Sequence, residues 1–229
     1  MKVLLTAATD GELQPIRERF VQNWRPAPGN GFTNPAGTLT VHLATLGPGI
    51  LPATYQLLKL THIYKPDWLL LCGIAGAFSA ETALGTTCLV ASEQLADWGI
   101  DDRETFRDVF EVNLVAAAAP PFQNGMLPNP WLAGLSLPYP AVPAVTVQTT
   151  SGSAARIARI TRQYAPQVES MEGAALHYVA LMENIPFIQI RTISNLVEPR
   201  NRESWNIPLA LQNLADSTLQ ILEQLPLQS

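Results

Sequence analysis

The chain has 229 residues and is 47% hydrophobic but only 14% charged, against roughly 25% charged in ordinary soluble domains. That balance excludes disorder and predicts one large domain, residues 1–229, built around a well-covered sheet. A formal net charge of -5, with no basic run, argues against nucleic acid or an anionic membrane as partner.

Residues 2–8 (KVLLTAA) form a nearly continuous apolar run, the pattern of a strand buried on both faces. A helix is expected over 11–22, with Asp10 as its cap and Pro15 near its first turn. A strand over 38–46 ends at Gly47-Pro48-Gly49, and helical spacing resumes over 51–63. Residues 67–72 read as a third strand ending in a turn, Gly73-Ile74-Ala75-Gly76-Ala77, and another strand is expected over 86–97. From Pro120 to Pro143 there are seven prolines, too many for a regular element, so this stretch reads as an extended surface excursion. Beyond it the pattern predicts strand 144–149, helix 153–164, strand 167–170, helix 172–183, strand 186–194 and a helix over 203–225. Such alternation predicts an α/β three-layer sandwich, a central and mostly parallel (mixed) sheet flanked by helices.

Cys72 and Cys88 fall in apolar strand-like segments and read as buried free thiols. His42, His62 and His177 are scattered and form no metal site. The N-terminal apolar run meets Asp10 and Glu12 too early for a secretory signal. Trp68–Phe78, the longest uncharged apolar stretch, falls well short of the roughly 20 residues of a membrane helix. A soluble, cytoplasmic protein is expected.

In sheets of this kind ligands bind beyond the C-terminal ends of the strands. Four segments carry polar groups or glycine there: Thr9–Glu12, Gly73–Gly76, Glu169–Gly173 and Arg191–Asn195. Gly47-Pro48-Gly49 lacks the third glycine of a dinucleotide fingerprint and reads as a tight turn. Taken singly, Glu12 and Glu172 suit helix first turns, where a carboxylate complements the dipole, Asn195 suits a turn and Arg191 a buried ion pair. Taken together, two acids, an arginine and an asparagine leave strand ends in one order and converge on one cleft.

These pieces carry a resemblance. The strand leading to Glu12, LGPGI at 46–50, GIAGA at 73–77, SMEGAA at 170–175 and RTISN at 191–195 make the chain resemble the nucleoside phosphorylase and nucleosidase superfamily over nearly its whole length. The resemblance implies that Met171 and Glu172 hold the ribose, with Glu172 bridging its hydroxyls, and that Glu12 is the base that activates water. It also implies that Arg191 supports the site from its strand end and that Thr149 and Thr150 wall the base side. A small nucleoside substrate, no cofactor and a homo-oligomer (a dimer or larger) follow from the same resemblance. Methylthioadenosine and adenosylhomocysteine nucleosidases carry Asp where Asn195 stands and Ser where Ile74 stands. The segments SNLVEPRNRESW (194–205) and DWGIDDRETF (97–106) resemble instead the futalosine hydrolases, which cut hypoxanthine from futalosine in menaquinone biosynthesis.

Asn195 has a chemical rationale in that setting. A 6-oxopurine presents acceptors at N7 and O6, to which a carboxamide can donate, whereas an ionised Asp offers only acceptors. No arginine occurs between Arg25 and Arg103, so the GIAGA segment has no neighbouring cation for a phosphate dianion. Water activated by Glu12 is therefore the expected nucleophile, with purine nucleoside phosphorolysis, or another purine nucleosidase acting on 6-oxopurines, as the alternative. Arg103, Arg107, Arg200 and Arg202 are candidates for a carboxylate on the 5′ side of the substrate.

Overall fold

The computed structural model describes residues 1–103, 105–199 and 201–226. In chain order the elements are β1 (Lys2–Ala7), α1 (Asp10–Asn23), β2 (Arg25–Ala27), β3 (Gly31–Thr33), β4 (Thr40–Thr45), α2 (Ile50–Tyr64), β5 (Trp68–Ala77), β6 (Thr87–Leu95), β7 (Gly99–Asp102), β8 (Thr105–Asp108), β9 (Leu127–Pro128), β10 (Ala141–Thr146), α3 (Ala154–Tyr164), β11 (Val168–Ser170), α4 (Gly173–Glu183), β12 (Phe187–Leu196) and α5 (Ile207–Gln224). Arg200 lies outside the described residues.

Strands β1 and β5 are buried on both faces, and their alternation sorts two cores. Val3, Leu5, Leu70 and Cys72 pack against Leu13, Ile16 and Phe20 of α1 and Leu214 and Ile221 of α5. Leu4, Leu69 and Leu71 face the other way, onto Ala53 and Leu57 of α2 and Leu176 and Val179 of α4. Each such buried side chain contributes about 1.5–3 kcal/mol, which pins the register of β5 on both sides.

The sheet is mixed, as expected, but it closes on itself and is not the mostly parallel layer of the three-layer sandwich expected. Among the described residues antiparallel pairings within this sheet (β2–β3, β3–β4, β6–β9, β6–β12, β5–β11) are as many as parallel ones (β1–β4, β1–β5, β5–β12, β6–β10, β10–β11), and β7–β8 form a separate antiparallel hairpin. Because β11 pairs with both β10 and β5, strands β5, β12, β6, β10 and β11 form a ring. Ala75, Ala77, Cys88, Val90, Val142, Ala144, Val168 and Ile193, drawn from all five, form one buried cluster. Small side chains of this kind suit the interior of a narrow barrel.

Closure depends on a segment that read as a turn. Gly73–Ala77 continues β5, and its last two residues form the pairing with β11. Gly73 and Gly76 serve close approach here. A Cβ on Gly73 would collide with the Arg191 guanidinium, and one on Gly76 would lie 2.9 Å from Val197 Cγ2 and 3.1 Å from Asn195 Nδ2. Gly47 and Gly49, by contrast, do turn the chain into α2, both at positive φ (86° and 88°).

The proline-rich stretch is packed and partly regular. It contains β9 and a 3₁₀ turn at Leu132–Gly134, and Phe122, Leu127 and Leu132 are buried. Asn129 ties the stretch to the sheet, its Nδ2 donating to the Phe187 carbonyl at 2.9 Å and its Oδ1 accepting from the Trp131 N–H at 3.1 Å. Strand β10 starts at Ala141, ahead of the expected 144, with Pro143 at a register irregularity, where a missing N–H costs no ladder bond. The final helix begins at Ile207, capped by Asn206, with the 3₁₀ turn Arg202–Ser204 ahead of it. Among the described residues no helix is long and apolar enough to cross a membrane.

Candidate active site

A cavity of about 410 Å³ opens where β1, β5, β11 and β12 end. It gathers Glu12, Ile74, Thr150, Met171, Glu172 and Asn195. Thr149 is exposed and outside the lining, its N–H donating to Asp97 Oδ2 and its carbonyl accepting from Arg156. Arg103 and Arg107 are exposed on the β7–β8 hairpin, also away from the cavity.

Glu12 owes its position to a capping box. Thr9, the residue that caps α1 in place of Asp10, accepts from the Glu12 N–H at 3.3 Å, and Glu12 Oε2 accepts from the Thr9 N–H and hydroxyl at 3.0 and 2.9 Å. Reciprocal capping of this kind fixes the rotamer as well as the helix end. Oε1 is left to accept from the Ile74 N–H at 3.1 Å. Glu12 is thus buried yet set on the cavity wall.

Glu172 stands at the start of α4, and its Oε1 accepts from the Gly49 N–H at 2.9 Å. Its Oε2 lies 3.7 Å from Arg191 Nη2. Burial pushes the Glu172 carboxyl above its ordinary range, opposed by Arg191 and by the Gly49 N–H, while the nearby Glu12 adds to the upward push. Arg191 is 1% exposed, and its Nη1 reaches the Ile74 carbonyl at 3.5 Å. Among the described residues its Nε and Nη2 have no hydrogen-bond partner. Ile74 therefore joins the two halves of the site through its backbone, donating to Glu12 and accepting from Arg191.

Asn195 is aimed by a bulge. Ile193 pairs with Ala75 and Asn195 with Gly76, so Ser194 is an extra residue in β12; bulges re-aim side chains at the rims of barrels. Ser194 Oγ donates to Asn195 Oδ1 at 2.8 Å, and Asn195 Nδ2 donates to the Leu196 carbonyl at 2.8 Å. One amide N–H and one carbonyl lone pair remain for a ligand. Met171, half-buried against Ala96, Val145 and Val147, supplies an apolar part of the cavity lining.

Two wall residues had no role assigned from sequence. Glu169 Oε1 accepts from the Ser151 N–H at 2.9 Å, and its Oε2 accepts from the Ser151 hydroxyl. The polar Glu169–Gly173 segment was the available signal, but the partner lies 18 residues away. Trp205, from the SNLVEPRNRESW segment, closes the cavity with Ile207 and Leu211.

A further buried carboxylate, Glu93, lies outside the cavity lining. It accepts from Gln189 Nε2 at 2.8 Å and from the Thr146 hydroxyl at 2.9 Å, and Thr146 Oγ1 in turn accepts from the Ala174 N–H in the first turn of α4. A Cβ on Gly173 would strike Glu93 Oε1, so glycine lets the carboxyl reach beneath the helix. Burial pushes Glu93 up to about 7, and it pushes the fully buried His177 down to about 3. Burial likewise pushes up the thiols of Cys72 and Cys88, leaving both protonated and inert.

The family model of the phosphorylase superfamily matches residues 2–225. The chain belongs to that superfamily. A futalosine hydrolase of Streptomyces coelicolor is 26% identical over 230 residues, covering 95% of this chain and 93% of that protein. A 5′-methylthioadenosine/S-adenosylhomocysteine nucleosidase of Maridesulfovibrio salexigens is 27% identical, covering 86% and 87%. In fold the chain is similar to a futalosine hydrolase of Helicobacter pylori, with a TM-score of 0.80 at 16% identity over 98% of this chain and 100% of that one. The H. pylori 5′-methylthioadenosine/S-adenosylhomocysteine nucleosidase gives 0.78, also at 16% identity, over 98% and 99%. The superfamily member described here therefore shares its fold with both kinds of nucleosidase.

Proposed function

We propose that this chain, acting as one catalytic domain, hydrolyses the N-glycosidic bond of a 6-oxopurine nucleoside. The substrate we favour is futalosine, released as hypoxanthine and dehypoxanthine futalosine. Nucleosidase activity is the broader part of this reading, and the similarity to two named nucleosidase groups supports it. The observation that carries hydrolysis over phosphorolysis is the charge of the cavity wall. Among the described residues it presents Glu12, Glu169, Glu172 and Glu198 and no Lys, Arg or His. Such a wall repels a phosphate dianion but can take a proton from water.

In the proposed mechanism the C1′–N9 bond lengthens first, leaving positive charge on the ribosyl ring and negative charge on the base. Glu172, held by Arg191 and Gly49, fixes the ribose hydroxyls, and Met171 packs against the sugar. Asn195 donates its remaining N–H to N7 or O6 and so stabilises the departing base. Glu12 takes the proton of the water that attacks C1′. Thr150 and Ile74 wall the base and the water site. Leu51, Tyr55 and Ile63 on α2 and Met182 on α4 are exposed on helices that pack together, which supports a homo-oligomer built on that face.

The test is base release from futalosine, from inosine and from a methylthio adenine nucleoside, each with and without phosphate. Phosphate-independent hypoxanthine release, faster from futalosine, is the expected outcome. Release that requires phosphate moves the chain to the phosphorylases, and release of adenine from a methylthio nucleoside alone removes the 6-oxopurine assignment.

A further inference from the structure

The sheet register lines up a second polar residue with Asn195. Glu169 stands directly across from Gly76 in the antiparallel β5–β11 pairing, and Asn195 stands across from the same Gly76 in the β5–β12 pairing. Residues directly opposite on paired strands project to the same face. The row therefore reads carboxamide, bare glycine, carboxylate, across two strand spacings or about 10 Å. Both end residues line the cavity. A Cβ at position 76 would lie 3.1 Å from Asn195 Nδ2, so glycine keeps open a slot for a flat ring between the two polar ends.

We infer that Glu169 is a specificity-determining residue that accepts a hydrogen bond from N1–H of the purine, while Asn195 serves the N7 and O6 edge. This inference rests on the 6-oxopurine reading above. Ser151 occupies one acceptor position on each Glu169 oxygen, and a carboxylate offers about four, so each oxygen retains capacity toward the cavity. Next to it, Ser170 Oγ is buried with no hydrogen-bond partner among the described residues. An acceptor-only group demands a donor. A 6-oxopurine supplies one at N1, whereas a 6-aminopurine presents an N1 lone pair that would face the carboxylate. A site built to pair a polar group rejects the analogue that leaves it unpaired.

The experiment compares kcat/KM for futalosine and its 6-amino counterpart in the wild type, Glu169→Gln and Ser151→Ala. The wild type should favour the 6-oxo substrate. Glu169→Gln keeps an acceptor for the Ser151 N–H but turns an amide N–H toward N1. It should cut the 6-oxo preference about tenfold to hundredfold, the usual range for a hydrogen bond to a charged group. Ser151→Ala keeps the carboxylate and should keep the preference. If Glu169→Gln slows both substrates equally, Glu169 only anchors the 149–152 loop and the inference falls alone. A wild type that prefers the 6-amino substrate overturns both the inference and the reading beneath it. Product inhibition supplies a readout without variants: hypoxanthine should inhibit at least tenfold more tightly than 1-deazahypoxanthine, which has C–H at that position, and equal inhibition overturns the inference.

Discussion

Two sets of buried carboxylates occupy this molecule, and they are kept by different partners. In the cavity, Glu172 has a guanidinium at 3.7 Å and a backbone N–H, and Glu12 has a capping box and the Ile74 N–H. Beneath α4, among the described residues, Glu93 is bonded only to a neutral amide and a neutral hydroxyl, with Arg191 acting on it through space. A carboxylate proposed to meet substrate is placed on the cavity wall and, at Glu172, is balanced by a cation. One that supports a helix end is satisfied by neutral groups and holds its proton to about pH 7.

That contrast can be broken first at Glu12. Glu12→Gln preserves the Ile74 N–H acceptor but cannot take a proton, so turnover should fall about 10²–10⁴-fold with KM little changed. Steady-state kinetics of base release check this, and an unimpaired Gln variant removes Glu12 from the base role. Arg191→Met strips the guanidinium from Glu172 and should destabilise the fold by about 3–5 kcal/mol, because breaking a buried pair strands the remaining charge. Denaturant midpoints measure it, and an unchanged midpoint shows that Glu172 is content without its partner.

Glu93 should respond in the opposite sense. Its native carboxyl titrates near 7 against an unfolded value near 4.5, so the native state binds the extra proton between those limits. The stability it contributes is fully present below about pH 4.5 and lost as pH rises toward 7, about 3 kcal/mol in all. Glu93→Gln imitates the protonated form and should raise stability above pH 7 relative to the wild type. His177 titrates the other way, its contribution present above about 6.5 and lost as pH falls toward 3, so the comparison must be made variant against wild type at each pH. Parallel stability–pH curves for the two proteins would dismiss the Glu93 assignment. The smallest effect is expected at Asn195→Asp, which adds a further acid to the wall and should shift base preference away from 6-oxopurines by about tenfold. Competition between hypoxanthine and adenine nucleosides reads it out.

The order of strands and helices was legible because burial on both faces leaves unbroken apolar runs in β1, β5 and β12, and because helices α1 and α4 begin at polar residues. The hairpins β2–β3 and β7–β8 were not, since strands of three or four residues are too short to carry a readable periodicity. The packing of residues 120–143 was hidden for another reason: proline signals only what the backbone cannot donate, and not whether the neighbouring Phe122, Leu127 and Leu132 find a core.

Residue chemistry and local spacing nominated Glu12, Glu172, Arg191 and Asn195 as one set, since each follows from what a segment of a few residues can present at a strand end; Met171 came only from the family resemblance. Three matters were decided only by tertiary structure. The GIAGA glycines sit in a strand rather than a turn because the side chains they make room for, Arg191, Asn195 and Val197, come from distant sequence. The sheet closes because β11 pairs with two strands at once, and no single segment encodes a pairing. Glu169 and Asn195 face each other across Gly76 because of that closure and of one extra residue in β12. Register between strands is set by the packing of whole faces, and local sequence does not contain it.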